Sequence, residues 1–93
     1  MLLACVLFPG CDTLKDRRGL LRSILDRLRN LGFSVAQTGP ADFVQKAWIA
    51  ATCACRTASG AERMLDTAAI VLEHPGLELA QLDRQTVLFD PEA

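Results

Sequence analysis

An apolar run followed at once by a leucine-patterned helix constrains this chain more than any other feature. Leu2–Phe8 is continuously apolar and stops at Pro9, which is typical of a buried central strand. Thr13 has an acidic residue three positions later, which approximates a capping box, and Gly32 predicts the helix end. Between them, one helical stripe is apolar: Leu14, Leu21, Ile24, Leu25, Leu28 and Leu31.

Two further strands are predicted before the next helix. Phe33–Thr38 is a short strand that ends at a glycine-proline pair, whereas residues 41–46 fit a helical turn or a hairpin mouth. Ala47–Arg56 has the alternation of a strand. One of its predicted faces carries Ala47, Ile49, Ala51, Cys53 and Cys55, and the other carries Trp48, Ala50, Thr52, Ala54 and Arg56.

A second helix and a last strand complete the pattern. Ser59 and Glu62 predict a capping box, and residues 74–76 (His-Pro-Gly) end the helix. Its apolar face is Met64, Leu65, Ala68, Ala69, Val71 and Leu72. The last strand lies between about Leu79 and Phe89.

This order of elements predicts a ferredoxin-like α+β fold. Two right-handed strand-helix-strand units interlock most simply as βαββαβ, a four-stranded antiparallel sheet with both helices on one face. The 93 residues form a single predicted domain, 1–93. The apolar run Met1–Phe8 is far shorter than the roughly 20 residues of a membrane span and lacks a basic leader. We therefore expect a soluble cytoplasmic protein without a membrane partner.

The four cysteines are expected to be free thiols. Cys53 and Cys55 fall on one face of a predicted strand, where such neighbours rarely bridge, and Cys5 lies within the first strand. There is no Cys-x-x-Cys, and the single histidine, His74, lies elsewhere, so no metal site and no cofactor are expected. Cys11 is predicted in a loop near a helix N-terminus, which leaves a redox or nucleophilic role open there.

Positive charge is concentrated in the first half. Residues 1–46 hold seven basic against four acidic side chains, a net of +3, and residues 47–93 hold three against seven, a net of −4. At 100° per residue, Lys15, Arg18, Arg22 and Arg29 lie within about 60° on the first helix. Such a row predicts salt-sensitive contact with nucleic-acid phosphates. The alternative is a solvated face with internal pairs such as Arg22–Asp26.

Arg17 differs from the other basic residues of this helix. Its angle places it near the apolar side, one turn from Leu21. We expect its methylenes to lie on the core and its guanidinium to reach the helix edge.

The open face of the sheet predicts a different interface. Trp48, Ala50, Thr52 and Ala54 are small or apolar, and two such faces could pair about a twofold axis as a homodimer. The alternative is that Trp48 folds over its own sheet with Phe43 or Leu88. The central strands lack the aromatic residues with which an RNA-recognition motif stacks bases, so RNA contact is expected at the helix.

No catalytic constellation is visible, and an enzyme is not expected. His74 has no sequence partner, Ser23 and Ser34 have no triad context, and no glycine-rich phosphate loop occurs.

Several stretches resemble a known family. Residues 13–18, Thr-Leu-Lys-Asp-Arg-Arg, are similar to the Ser-Leu-Lys-Glu-Lys-Arg signature of the YlxP-like proteins, small bacterial proteins that carry domain of unknown function 503. The similarity continues through residues 21–30 and 33–36. It then covers Asp42 and residues 45–47, where the family has Asp-x-x-Gln-Arg-Ala. Here Val44 replaces the family's aromatic residue before the glutamine.

The resemblance implies a ferredoxin-like domain and a partner. Genes of such proteins lie beside those of translation-initiation and ribosome-maturation factors in many bacteria. This neighbourhood implies contact with ribosomal RNA or the small ribosomal subunit.

Overall fold

The computed structural model describes residues 1–40 and 43–88, and the elements follow the predicted order. They are strand β1 (Leu2–Leu7), helix α1 (Leu14–Asn30), strand β2 (Ser34–Thr38), strand β3 (Lys46–Thr52), helix α2 (Ala58–Val71) and strand β4 (Glu78–Arg84). The strands form one antiparallel sheet in the order β2-β3-β1-β4. The predicted ferredoxin-like α+β fold is confirmed.

Alternation along the central strands separates a core face from an open face. Leu2 and Val6 of β1 are fully buried, whereas Leu3 between them is 40% exposed on the open side. On β3, the predicted division is confirmed within the strand, because Ala47, Ile49 and Ala51 all lie in the core. Both helices complete this core with Leu21, Ile24, Leu28, Leu65, Ala68 and Val71. Burying each leucine, isoleucine or valine side chain of this set contributes about 1.5–3 kcal/mol.

The predicted ends of α1 are confirmed. Thr13 has an extended backbone, and its Oγ1 accepts a hydrogen bond from the amide of Asp16 at 3.1 Å. Leu31 is the C-cap, and Gly32 follows with φ of +106°, a left-handed conformation that glycine adopts without steric cost.

The predicted capping box of α2 is wrong. Thr57 is the N-cap, and its Oγ1 accepts a hydrogen bond from the amide of Gly60 at 3.0 Å, so Ser59 lies inside the helix. Glu62 is drawn away from the helix end because its carboxylate accepts hydrogen bonds from Arg84 and Thr86. A tertiary contact with β4 therefore replaces the local contact that the sequence pattern indicates.

Two strands are shorter than predicted. β3 ends at Thr52, because its neighbours end there: Thr52 pairs with Ser34, the first residue of β2, and Ala51 pairs with Leu2. Cys53, Ala54, Cys55 and Arg56 consequently lie beyond the strand. β4 ends at Arg84, which pairs with Leu2, instead of reaching Phe89. Phe89 and residues 41 and 42 lie outside the described residues.

Candidate nucleic-acid interface

The core contacts of α1 determine which side chains the helix presents to solvent. Leu21, Ile24 and Leu28 are at most 4% exposed and fix one side against the sheet. Lys15, Arg18, Arg22 and Arg29 are all exposed, as the helical spacing predicts.

Ion pairing divides these four cations into two groups. Nη1 of Arg29 lies 2.9 Å from Oδ1 of Asp26, so one positive charge of the row is partly neutralised. Lys15, Arg18 and Arg22 form no ion pair with any residue in the described ranges 1–40 and 43–88. The predicted alternative pair Arg22–Asp26 is not formed, because Asp26 pairs with the arginine three residues later instead. We name Lys15, Arg18 and Arg22 the basic row.

Helix stability accounts for some of these cations and not for others. Arg27 and Arg29 lie in the last turn of α1, where a positive charge is favourable beside the negative end of the helix dipole. Lys15 lies in the first turn, where the dipole opposes a cation. Neither an ion pair nor the dipole therefore explains a lysine at position 15.

Arg17 is buried, so the expectation that its guanidinium reaches the helix edge is wrong. The residue is 2% exposed and is the largest of the fully buried side chains. Its Nε and Nη1 atoms are themselves shielded from solvent. Arg17 lies on the same side of α1 as Leu21 and Ile24, so it belongs to the interior and not to the basic row.

Helix α2 forms ion pairs with a basic residue of the neighbouring strand β4. Arg84 of β4 is clamped by two carboxylates, with Nη2 at 3.1 Å from Oε2 of Glu62 and Nη1 at 2.8 Å from Oδ1 of Asp66. This arrangement neutralises the positive charge of Arg84 within the domain. The field that an anionic partner would meet is therefore strongest at α1.

The predicted open-face surface is only partly assembled. Trp48 and Ala50 are half-buried and Thr52 is exposed on this face, whereas Ala54 lies beyond the end of β3 and does not belong to it.

The ring of Trp48 meets the ring of Phe43 edge-on, with centroids 5.7 Å apart, and Nζ of Lys46 lies 5.5 Å from the centroid of the indole. A Cβ atom at Gly39 would lie 3.2 Å from Cδ2 of Trp48, so the indole rests on that glycine.

This packing supports the alternative in which Trp48 folds over its own sheet. Phe43 makes the expected contact with Trp48, whereas Leu88 lines a cleft together with Cys53 and Cys55. The indole face is therefore engaged within the chain and is a poor platform for stacking a base.

The groups considered for catalysis have structural contacts. Nδ1 of His74 accepts a hydrogen bond from the amide of Gly76 at 3.0 Å and closes the turn after α2. Cys11 is buried in the core, and its carbonyl accepts a hydrogen bond from Nε2 of Gln45. Within residues 1–40 and 43–88, no group of three or more acidic, histidine or cysteine side chains is placed to hold a metal ion. Across the same residues, no helix has the length and apolar character needed to span a membrane.

Comparison with known proteins places the chain in one family. A family model matches residues 1–84, and the family is described as protein of unknown function (DUF503). No curated protein matches the chain. The match covers every helix and strand of the fold.

Proposed function

The chain belongs to the family of proteins of unknown function DUF503, and from this premise we propose that it is a binding protein that contacts RNA through the basic row of α1. The observation that carries the proposal is that Lys15, Arg18 and Arg22 are exposed on one helix line without ion pairs among the described residues. Arg29 stands at the edge of this surface, because Asp26 competes with any phosphate for its guanidinium. Binding, and not a reaction, is the proposed activity.

The spacing of the basic row suits a phosphate backbone. Lys15 and Arg22 are seven residues apart, which corresponds to about 10 Å along a helix axis. A nucleic-acid strand rises about 3.4 Å per phosphate, so the row spans about three phosphates. Arginine presents a planar fork that binds phosphate oxygens in pairs, and both arginines of the row keep this fork in solvent.

The expected binding is weak and strongly dependent on salt. Three phosphate contacts with a single strand give a slope of about −2 in a plot of log affinity against log salt. The ribosomal neighbourhood implied by the sequence resemblance directs the choice of probe to the small ribosomal subunit and its RNA.

The test compares two double charge reversals that change the net charge equally. Arg18→Glu with Arg22→Glu removes two cations of the basic row, whereas Arg56→Glu with Arg63→Glu removes two exposed arginines away from α1. Each variant is measured for co-sedimentation with small ribosomal subunits, and for fluorescence anisotropy with a labelled fragment of their RNA, over a salt series. The first variant should lose binding, and the second should retain the affinity and slope of the unchanged protein.

Two results would contradict the proposal. If both variants lose affinity equally, attraction depends on net charge and not on α1. If the unchanged protein shows no salt-dependent binding to subunits or RNA, the basic row has no such partner.

A homodimer that pairs through the open sheet face is the second candidate. The observation that favours it is Leu3, which is 40% exposed at the centre of this face beside the half-buried Ala50. The engaged ring of Trp48 reduces the apolar area that a partner would cover. Sedimentation equilibrium of the unchanged protein and of Leu3→Glu tests this candidate. A monomer mass at every concentration in both samples would eliminate it.

A further inference from the structure

Two thiols meet just beyond the end of β3. Sγ of Cys53 lies 3.8 Å from Sγ of Cys55, and the two groups share a hydrogen bond. The sequence places them on one face of a strand, where the extended ladder would hold them apart. Ladder pairing ends at Thr52, so neither cysteine is held by a neighbouring strand. Among residues 1–40 and 43–88, the neighbouring strands therefore supply no ladder hydrogen bonds to the backbone between the two cysteines.

The pair lines a cleft formed by the end of β3, the first turns of α2 and residues 85–88 after β4. This cleft has a volume of about 520 Å³, and its lining includes Cys53, Cys55, Arg56 and Thr57. Cys55 is exposed, whereas Cys53 is half-buried. Cys55 is therefore the more accessible of the two cysteines to a small molecule.

We propose that Cys53 and Cys55 form a dithiol site that undergoes thiol-disulfide exchange with anionic low-molecular-weight disulfides of the glutathione disulfide class. Cys55, as the thiolate, attacks one sulfur of the small disulfide, whose sulfur-sulfur bond breaks and releases one thiol. Cys53 then loses its proton and attacks Sγ of Cys55, which expels the second thiol. The protein gains one intramolecular disulfide and loses two electrons and two protons, and the small disulfide becomes two thiols.

The environments of the two sulfurs set this order of attack. Burial raises the pKa of the Cys53 thiol, and the hydrogen bond and negative charge of Cys55 raise it further. The raised pKa lowers the fraction of Cys53 that is present as thiolate, so Cys55, the more exposed sulfur, reacts first. Once Cys55 carries a mixed disulfide, its negative charge is gone, and Cys53 ionises more readily for the second step.

The neighbouring charge favours an anionic co-substrate. Arg56 is exposed beside Cys55, and it forms no ion pair with the residues that the structure describes. A carboxylate of the small disulfide can pair with this guanidinium while its sulfur approaches Cys55. A disulfide between residues only two positions apart is strained, so the product should be readily reduced again by thiols.

Trypsin separates the two classes of cysteine cleanly. Cleavage after Lys46 and Arg56 places Cys53 and Cys55 together on peptide 47–56, whereas Cys5 and Cys11 lie together on peptide 1–15. The folded full chain is incubated with glutathione disulfide, quenched with acid, alkylated, digested and analysed by mass spectrometry. Peptide 47–56 should lose the mass of two hydrogen atoms and take up no alkylating agent. Cys5 and Cys11 are buried in the folded chain, so they should not react with glutathione disulfide. Both should therefore remain thiols and be alkylated on peptide 1–15 once the chain is unfolded.

Single substitutions separate the two steps. Cys53→Ser should stop at the mixed disulfide, with glutathione retained on Cys55, because the second thiol is missing. Cys55→Ser should react more slowly, because only the less exposed thiol, Cys53, remains. A synthetic peptide 47–56 serves as the control for unfolded geometry and should form the intramolecular disulfide more slowly than the folded protein.

A comparison of small disulfides tests the role of Arg56. The measured quantity is the reaction rate with glutathione disulfide divided by the rate with cationic cystamine. This ratio should be about fivefold higher in the unchanged protein than in Arg56→Ala, which is the effect of one pair of unit charges about 4 Å apart in water. The proposal is overturned if the unchanged protein retains the mixed disulfide without converting it. It is also overturned if the isolated peptide reacts as fast as the folded chain.

Discussion

Helices α1 and α2 cover the same face of one sheet, yet they carry charge in opposite ways. α1 contains six basic and two acidic residues, a net of +4, whereas α2 contains one basic and two acidic residues, a net of −1. Both begin at a threonine cap and both bury one leucine-containing side in the common core. The architectural task is therefore the same, and only the solvent side differs.

This difference shows which charges the fold itself requires. On the α2 side, both acidic residues of the helix, Glu62 and Asp66, pair with Arg84 of β4. On α1, the basic row has no such partner among the described residues. The composition of α2 shows that a helix in this fold does not need a surplus of positive charge. The positive surplus of α1 is the physical basis for the proposal that this helix contacts an anionic partner.

The largest expected effect distinguishes two adjacent arginines of α1. Arg17→Ala should lower the free energy of unfolding by about 3 kcal/mol, because truncation of a fully buried long side chain leaves a cavity. Arg18→Ala should change it by less than about 0.5 kcal/mol, because that side chain is exposed. Urea denaturation followed by circular dichroism measures both. Equal losses would mean that Arg18 also has a structural role and would weaken the assignment of the basic row.

The caps of the two helices should contribute equally. Thr13→Ala and Thr57→Ala should each cost about 1 kcal/mol, because each removes the oxygen that accepts an amide hydrogen bond of the first turn. Ser59→Ala, within the first turn of α2, should cost less than about 0.5 kcal/mol. The same denaturation measurement distinguishes them, and a larger loss from Ser59→Ala would restore the capping box predicted from the sequence.

The paired arginine of the α2 side should affect stability and not binding. Arg84→Ala should lower the free energy of unfolding by about 1 kcal/mol, since two partly exposed ion pairs are lost together. Its affinity for RNA should be unchanged. Arg22→Ala is the matched variant on α1, and it should retain stability while reducing the salt slope by about 0.7. If Arg84→Ala lowers affinity as much as Arg22→Ala does, the two sides of the molecule are not functionally distinct.

The smallest expected effect concerns the acidic residue next to the basic row. Asp26→Asn removes a negative charge from the row and releases Arg29, so affinity for RNA should rise about twofold at low salt. Stability should change by less than about 0.5 kcal/mol, because the pair is exposed. Anisotropy titrations detect the change. A fall in affinity would show that Asp26 positions Arg29 for its partner instead of competing for it.

The exposure of the basic residues of α1 could be predicted from the sequence, whereas their binding of nucleic acid stays a prediction. Helical spacing alone places Lys15, Arg18 and Arg22 on one exposed line, because 3.6 residues per turn is a local property. It could not separate Arg29 from them, because the choice of Asp26 between two arginines depends on side-chain conformation. The contacts that cover Trp48 likewise come from residues of a loop whose course the sequence left undecided.

The sequence by itself determined the order of the elements, the cap at Thr13, and the side of each helix and of β3 that faces the core. These follow from periodicity and from contacts within a few residues. Only the tertiary structure decided where β3 ends, because a strand stops when its neighbours supply no further hydrogen-bonding partners. The contact between Cys53 and Cys55 depends on that ending. The ion pairs of Arg84 with Glu62 and Asp66 join residues that are distant in the chain. No local pattern encodes them.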